Sequence, residues 1–445
     1  MKRIAVVAAC LFLLSPLAAQ TPPPPANVVQ KPRGPTPVPV LVEGQSIETW
    51  STELPNNEPL FPQQTRAPYR ASVRFTVTTL NNQLRVPWGM DFLPDGKVLV
   101  TERLPGTLRI LDANTGAMTP PLSGLAPVSR TAQFGMLDVV LDPDYRRNRR
   151  IFFTFFEAGP NTNGGLTNSN TFVARATLDQ AANAVRDIQV IFRTIPAWPS
   201  QRLGAKTGGR IVFDPRGNLI VIIGDRDDNP SQTTPPWLSP QMLDNDLGKT
   251  IRITPDGLPA AGNPYLKTPG ARPEIFTIGH RSPQGLAYEP GTGKLWQSEL
   301  GPRGGDEINV LTLGKNYGWP VVVNGIDYPG TRISELTHKD GMVPPVYYWD
   351  PSRNPSGIAF YRGNLFPQWR GSLFVSMLDG RFLDRLTLRN GRVVAEEPLL
   401  MDLKTRIRDV GVGPDGAVYV LTDGGTSSMT VASAASSSLL KLTPK

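Results

Sequence analysis

The chain of 445 residues contains one cysteine and two histidines. The cysteine, Cys10, lies in an apolar leader, so nothing beyond it can form a disulfide or act as a thiol nucleophile. With His280 and His338 alone, a Ser-His-Asp triad or a His-rich zinc site is poorly served. His280 falls in a strand-like run and reads as a hydrogen-bonded core residue; His338 falls in a polar loop and reads as surface. No Gly-rich loop follows a strand and opens a helix, which excludes Rossmann and P-loop nucleotide sites. Helical periodicity is missing throughout. The net charge is +8, yet the longest basic run is RRNRR over 146–150, with no aromatic residues interleaved. Nucleic acid is therefore not an expected partner, whereas an anionic cofactor or substrate suits the positive field.

The N-terminus combines Met1-Lys2-Arg3, an apolar stretch from Ile4 to Leu14, and a small-residue end at Leu17-Ala18-Ala19. This is the pattern of an export signal over 1–19, cleaved after Ala19, and not of a transmembrane segment. Val7-Ala8-Ala9-Cys10 resembles a lipobox, but the apolar run ahead of it is short and continues past the cysteine. An exported product without cysteine points to a periplasmic or secreted protein. Residues 20–46 read as a Pro-rich linker, which favours extended conformations over a core. The folded domain is expected over 47–445.

What the chain has in abundance is glycine and proline, 42 and 46 residues. Strands joined by tight turns suit that composition. One phrase recurs, an apolar strand, a Pro-x-Gly type turn and a second apolar strand. It appears as GMDFLPDGKVLVTER (89–103), GMLDVVLDPDYRRNRRIFFTF (135–155), GRIVFDPRGNLIVIIGDR (209–226), GLAYEPGTGKLWQSEL (285–300), GIAFYRGNLFPQWRGSLFVSML (357–378) and DVGVGPDGAVYVLTD (409–423). A lone hairpin is marginal in water, so six such units need neighbours to cover their faces. The expected fold is all-β, a six-bladed β-propeller of four-stranded antiparallel blades. The C-terminal strand 438–442 is placed to pair with an N-terminal strand and close the ring. Two β-sandwiches are the alternative architecture and fit six similar phrases less well.

Polar residues fall at matching places in these copies: Gln133, Arg210, Asp225-Arg226, Arg281, Arg406 and Arg408. Equivalent positions of successive blades converge on one mouth of the central channel. Arginines gathered there would make a polyanion site, because the guanidinium fork binds carboxylates in bidentate fashion. The alternative is that each pairs locally, as Arg408 could with Asp409. The stretch from Ile275 to Pro320 holds a further feature, Gly301-Pro302 just ahead of Asp306-Glu307. Free carbonyls beside carboxylates are hard oxygen donors of the kind Ca²⁺ takes, though such a run also serves as a plain loop.

From about Leu84 onward the chain resembles the soluble, periplasmic pyrroloquinoline-quinone (PQQ)-dependent sugar dehydrogenases, the aldose/glucose/sorbosone dehydrogenase family. The resemblance rests on PWGMDFLPDG (87–96), GMLDVVLDPDY (135–145), GGRIVFDPRGNL (208–219), IGDR (223–226), DNDLGKTIRI (244–253), GHRSPQGLAYEP (279–290), ELGPRGGDEINVL (299–311), NYGWP (316–320), PSGIAFY (355–361) and RIRDVGVGPDG (406–416). It implies a six-bladed propeller that oxidises an aldose or related sugar or alcohol, with hydride passing to the quinone and electrons to an external acceptor. By the same resemblance Arg281, Arg406 and Arg408 match arginines that hold the tricarboxylate quinone, and Gln133 a glutamine beside quinone and substrate. Asp225 matches the aspartate that orients the catalytic base, and the carbonyls of Gly301 and Pro302 match ligands of a Ca²⁺ that polarises the quinone carbonyl. Three positions depart from the family pattern. Its basic histidine, four residues ahead of the Arg of the Gly-Arg pair, is Lys206; a quinone-facing lysine falls on Asp379; an asparagine after the family Arg is Ser282. A free Lys titrates near 10.4, about three units above a base useful at neutral pH. A propeller that binds the ligand without turnover, or a Ca²⁺-dependent hydrolase such as a lactonase, are the other functions this site could serve.

Overall fold

The computed structural model describes residues 38–126, 128, 134–156, 168–196, 198–199, 206–226, 235–424 and 437–445. The export signal, residues 20–37 and Gln133 lie outside the described residues. Within them the protein is almost entirely β, and the one α-helix is the four-residue turn Tyr145–Asn148. Each hairpin phrase forms the two inner strands of one blade. The innermost strands are Pro87–Phe92, Met136–Leu141, Gly208–Phe213, Pro283–Tyr288, Pro355–Phe360 and Arg406–Val412. Five blades are four-stranded antiparallel sheets; in the first, three strands are extended by a bridge from Leu111 to Met118. The six blades form the expected β-propeller.

The sixth blade joins the two ends of the chain. Ser437–Pro444 lies between Val418–Asp423 and Phe75–Leu84, and Phe75 pairs with Pro444. The closing strand therefore forms as the sequence predicts, on an N-terminal partner.

The innermost strands each carry a β-bulge near their start, which fixes the equivalence of the copies. By this register the residues facing the channel centre are Gly89, Asp138, Arg210, Gly285, Gly357 and Asp409. The second and third copies are thus displaced from the phrase boundaries at Gly135 and Gly209. The three glycines have a steric reason. A Cβ on Gly89 would stand 2.2 Å from Asp138 Oδ1, and one on Gly357 1.8 Å from Asp409 Oδ1. The space they leave is filled by Arg210, whose Nη1 donates to Asp138 Oδ1 (3.0 Å) and Asp409 Oδ2 (3.2 Å), and whose Nε donates to Gln284 O (3.2 Å). Its guanidinium also lies 4.4 Å from the ring centre of Trp88. A hydroxyl opposite this position clasps the next blade at three junctions: Thr101 to Leu137 O, Thr154 to Gly209 O and Ser298 to Ser356 O, each 2.5 Å. Apolar clusters fill the spaces between blades, as with Leu99, Ile110, Val139 and Phe153 between the first two.

One guanidinium neutralises one of two buried carboxylates. Burial and the neighbouring Asp409 push Asp138 up to about 7, against the pull of Arg210, while Arg210 stays above its ordinary value because the two carboxylates outweigh burial. Asp138 therefore holds a proton in the folded protein that the unfolded chain has lost. Since the folded state binds the extra proton between about pH 4 and 7, this group's contribution to stability falls as pH rises through that window. The urea midpoint is expected to drop from pH 5 to pH 8, and to drop less in Asp138→Asn. Arg210→Met strands two buried acids and should cost about 3–5 kcal/mol in the same measurement; a loss under about 1 kcal/mol, the scale of a surface pair, would refute the central role of the ion cluster.

Candidate active site

The site gathers at the end of the ring where innermost strands begin and second strands finish. Lys206 leads into the innermost strand of blade three with a left-handed backbone (φ 51°), and Asp225 follows that blade's second strand. The two strand ends touch: a Cβ on Gly224 would fall 1.8 Å from Lys206 O. Lys206 Nζ lies 3.3 Å from Asp225 Oδ1 and 3.3 Å from Oδ2, both side chains nearly fully buried. Trp319 Nε1 donates to the same Oδ2 at 2.8 Å. The indole stands between two cations, with Lys206 Nζ 5.8 Å and Arg281 Cζ 5.4 Å from its ring centre. Sequence reasoning places Asp225 beside Lys206, and the structure agrees; it gives no notice of Trp319.

Arg281 is buried just ahead of blade four. Its Nη1 donates to Leu300 O (3.0 Å) and Gly301 O (2.7 Å), and its Nη2 to the Tyr328 hydroxyl (3.2 Å). The backbone N–H groups of Arg281 and Ser282 are held by Glu299 Oε1, whose other oxygen meets His280 Nδ1 at 2.9 Å. His280 also bonds Thr277 Oγ1 at 2.9 Å and stacks on Tyr317, so it is the core histidine expected, and His338 is exposed.

Arg406 and Arg408 open the innermost strand of blade six. Arg408 pairs with Asp423 Oδ2 at 2.7 Å, not with Asp409, whose carboxylate is taken by Arg210 and by the N–H of Met90. Alternation along the strand turns Asp409 to the channel centre and away from Arg408. Against its burial, Arg408 and Arg406 pull Asp423 down to about 2, while burial with Arg406 nearby lowers Arg408. Arg103 adds to the same charge cluster, and burial with Arg408 close by brings it to about 10. Arg406 forms an ion pair with Asp379, which also accepts from Asn354 Nδ2. The negative charge at Asp379 is thus matched, and it occupies Nη1 of Arg406. The sequence reading does not single out Arg103, Glu299 and Asp423; Glu299 and Asp423 end second strands and Arg103 directly follows one, so TER, SEL and LTD closing three of the repeats are the available signal.

Two fit tests follow from these contacts. Buried Nε of Arg281, Nε and Nη2 of Arg406, and Nε of Arg408 make no hydrogen bond with any described residue. Unmet guanidinium N–H groups on blades four and six suit a ligand bearing several carboxylates, so the residues fit PQQ. The fit to Ca²⁺ is poorer. Gly301 O already accepts from a guanidinium, and Asp306, pushed up to about 6 by burial, spends its oxygens on the N–H groups of Gly301, Arg353 and Asn354. Among the described residues no group of three acids, histidines or cysteines could hold a metal. The carbonyls of Gly301 and Pro302 fall well short of the six to eight oxygens Ca²⁺ takes.

A family model described as Glucose / Sorbosone dehydrogenase matches residues 84–431. The chain is 38% identical over 379 residues to the aldose sugar dehydrogenase YliI of Escherichia coli, covering 85% of this chain and 95% of the other. The apo crystal structure of the soluble aldose sugar dehydrogenase from Escherichia coli superposes with a TM-score of 0.74 at 38% identity, covering 84% of this chain and 100% of that one. The PQQ-bound aldose sugar dehydrogenase of Streptomyces coelicolor gives a TM-score of 0.64 at 27% identity over 83% of this chain and 99% of that one. The protein belongs to the glucose/sorbosone dehydrogenase family.

The carbonyl pair alone should not hold the ion. The melting temperature of the ligand-free protein is expected to be the same in chelator and in excess Ca²⁺. A clear rise with Ca²⁺ would mean that Gly301 and Pro302 bind it unaided.

Proposed function

We propose that the protein is an exported PQQ-dependent dehydrogenase that oxidises an aldose or a related sugar and passes electrons to an external acceptor. The observation that carries this reading is the set of buried guanidinium N–H groups of Arg281, Arg406 and Arg408 that no described residue hydrogen-bonds, in a chain whose relatives include a PQQ-bound enzyme. When bound, the quinone would supply the two-electron oxidant; Gly301 and Pro302 are the residues that family position assigns to Ca²⁺, and no step is assigned to the ion. The chain's part is to bind, orient and manage a proton. Arg281, Arg406 and Arg408 would hold the carboxylates, with Asp423 keeping the last two charged and fixed. Gln133 is assigned beside the quinone and substrate by family position. Export through a leader over 1–19, a linker over 20–46 and a propeller over 47–445 complete the proposal; no described helix is long and apolar enough to cross a membrane.

The proton falls to Lys206. Oxidising a sugar hydroxyl needs an unprotonated acceptor as hydride departs, and a Lys206 that keeps its proton beside Asp225 has no lone pair to offer. That one contact favours a second reading, a propeller that binds its ligand with little turnover. The hydrolase alternative gains nothing from a site whose described charges are chiefly arginine.

Two variants test this. Arg408→Leu should weaken quinone binding by about 1.5–3 kcal/mol in calorimetry, the worth of a charge-assisted hydrogen bond; unchanged affinity would leave Arg408 as a structural partner of Asp423. Lys206→His places an imidazole with an ordinary pKa near 6.5 against Asp225. It should oxidise an aldose with added quinone and Ca²⁺ faster than the wild type by roughly 10²–10⁴, the contribution of a positioned base. If the wild type is already fast and the change slows it, Lys206 is itself the base. If both bind quinone and neither turns over, the binding-propeller reading stands.

A further inference from the structure

Ahead of the stretch matched by the family model, residues 46–69 lie along blades four and five as a strap. Its apolar anchors, Ile47 and Ala67, are buried in the cluster containing Trp349, Phe360 and Phe382. Two of its three glutamates, Glu48 and Glu53, do something different. Glu53 Oε2 meets Arg303 Nη2 at 3.0 Å, and Arg303 stands between Pro302 and Gly304 in the loop that carries the Gly301 and Pro302 carbonyls. Glu48 forms an ion pair with Arg353, whose side chain is 1% exposed.

Arg353 is a branch point between the two arms of the ligand site. Its N–H is held by Asp306 Oδ2, and Asp306 Oδ1 accepts from Gly301 N at 2.8 Å. Its carbonyl accepts from Asp379 N (3.2 Å) and Gly380 N (3.0 Å), and Asp379 pairs with Arg406. The strap also braces the loop from behind. Asp350 accepts from the N–H groups of Glu53 (2.8 Å) and Leu54 (3.2 Å), and a Cβ on Gly304 would stand 2.4 Å from Asp350 Oδ1. On the other side Asn57 Nδ2 donates to Asn324 O at 3.3 Å, and a Cβ on Gly305 would lie 2.7 Å from the carbonyl carbon of Asn324. The glycine loop is thus pressed between two residues that the strap itself holds.

We propose that this strap is a positioning element of the site: Glu53 through Arg303, and Glu48 through Arg353, fix the Gly301–Gly305 loop and the Asp379–Arg406 pair in their ligand-ready places. The inference rests on the PQQ reading only for the identity of the ligand. Neither glutamate touches that ligand, and neither supplies the apolar anchoring, so the carboxylates can be removed while Ile47 and Ala67 stay seated.

The test is hydrogen–deuterium exchange on the free full-length protein, wild type against Glu48→Gln with Glu53→Gln, followed by quinone titration of both. Amides over 300–306 and 377–381 should exchange about tenfold faster or more in the variant, the scale of one lost charge-assisted contact, while the inner strands of all six blades keep their protection. Quinone affinity should fall by about the same factor. Faster exchange everywhere would mean the strap is ordinary scaffold, and would overturn the proposal; so would unchanged exchange in the loop, or a loosened loop with unchanged affinity. If the double variant does not fold, Glu53→Gln alone is measured, and the charge swap Glu53→Arg with Arg303→Glu should restore loop protection. A wild type that binds no quinone overturns the functional reading instead, and the exchange experiment then decides by itself whether the strap holds the loop.

Discussion

The ring depends on a single guanidinium at its centre. Six innermost strands approach the axis at the same bulged position, and six ordinary side chains would not fit there. The chain resolves the crowding with three glycines and a short ion cluster, Asp138–Arg210–Asp409, supplied by blades two, three and six. Through Gln284 and Trp88 the same arginine reaches blades four and one. A buried cluster of this kind is a weak source of net stability but a strong source of uniqueness, since every register slip would separate its members. It also forms the charged floor next to which Arg406, Arg408 and Asp423 are arranged, so the geometry of these arginines is inherited from the axis.

How much of this could be read in advance follows from the kind of information each feature carries. Hairpins are local: apolar alternation around a Pro-x-Gly turn is written within fifteen to twenty residues, so the six inner strand pairs and the closing strand were legible. The equivalence of the copies was less so, because the bulge shifts the frame and puts Asp138 and Arg210 where Gly135 and Gly209 open the repeated phrase. Partners were the least legible. Arg408 has Asp409 next to it in sequence and Asp423 next to it in space, and strand alternation decides for the latter. The strap residues Glu48 and Glu53 fall inside the expected domain but ahead of its first hairpin phrase, and only tertiary contact gives them a role.

The scarcity of histidine takes on a definite meaning once the contacts are known. His280 is engaged by Thr277, Glu299 and Tyr317, and His338 is on the surface, so neither is placed to move a proton at Asp225. The group that stands there is the amine of Lys206, 3.3 Å from a carboxylate and 5.8 Å from the centre of an indole ring. Three of the site's cations have carboxylate partners, Lys206 with Asp225, Arg406 with Asp379 and Arg408 with Asp423, whereas Arg281 is held by two carbonyls and a phenol. An anionic ligand arriving there would compete with counter-ions for the first three, which makes it a site where selectivity and affinity trade against each other.

The shared sixth blade has a consequence for how the molecule comes into being. Its outer strand is laid down near the start of the chain and the strand it pairs with at the very end. Until Ser437–Pro444 is made, five blades can form in order while the first and last remain unpaired neighbours with an open seam. The seam exposes strand edges and apolar faces that would associate with other chains. Pairing of Ser437–Pro444 with Phe75–Leu84 is thus the step that removes those edges and turns an open row of blades into a closed ring.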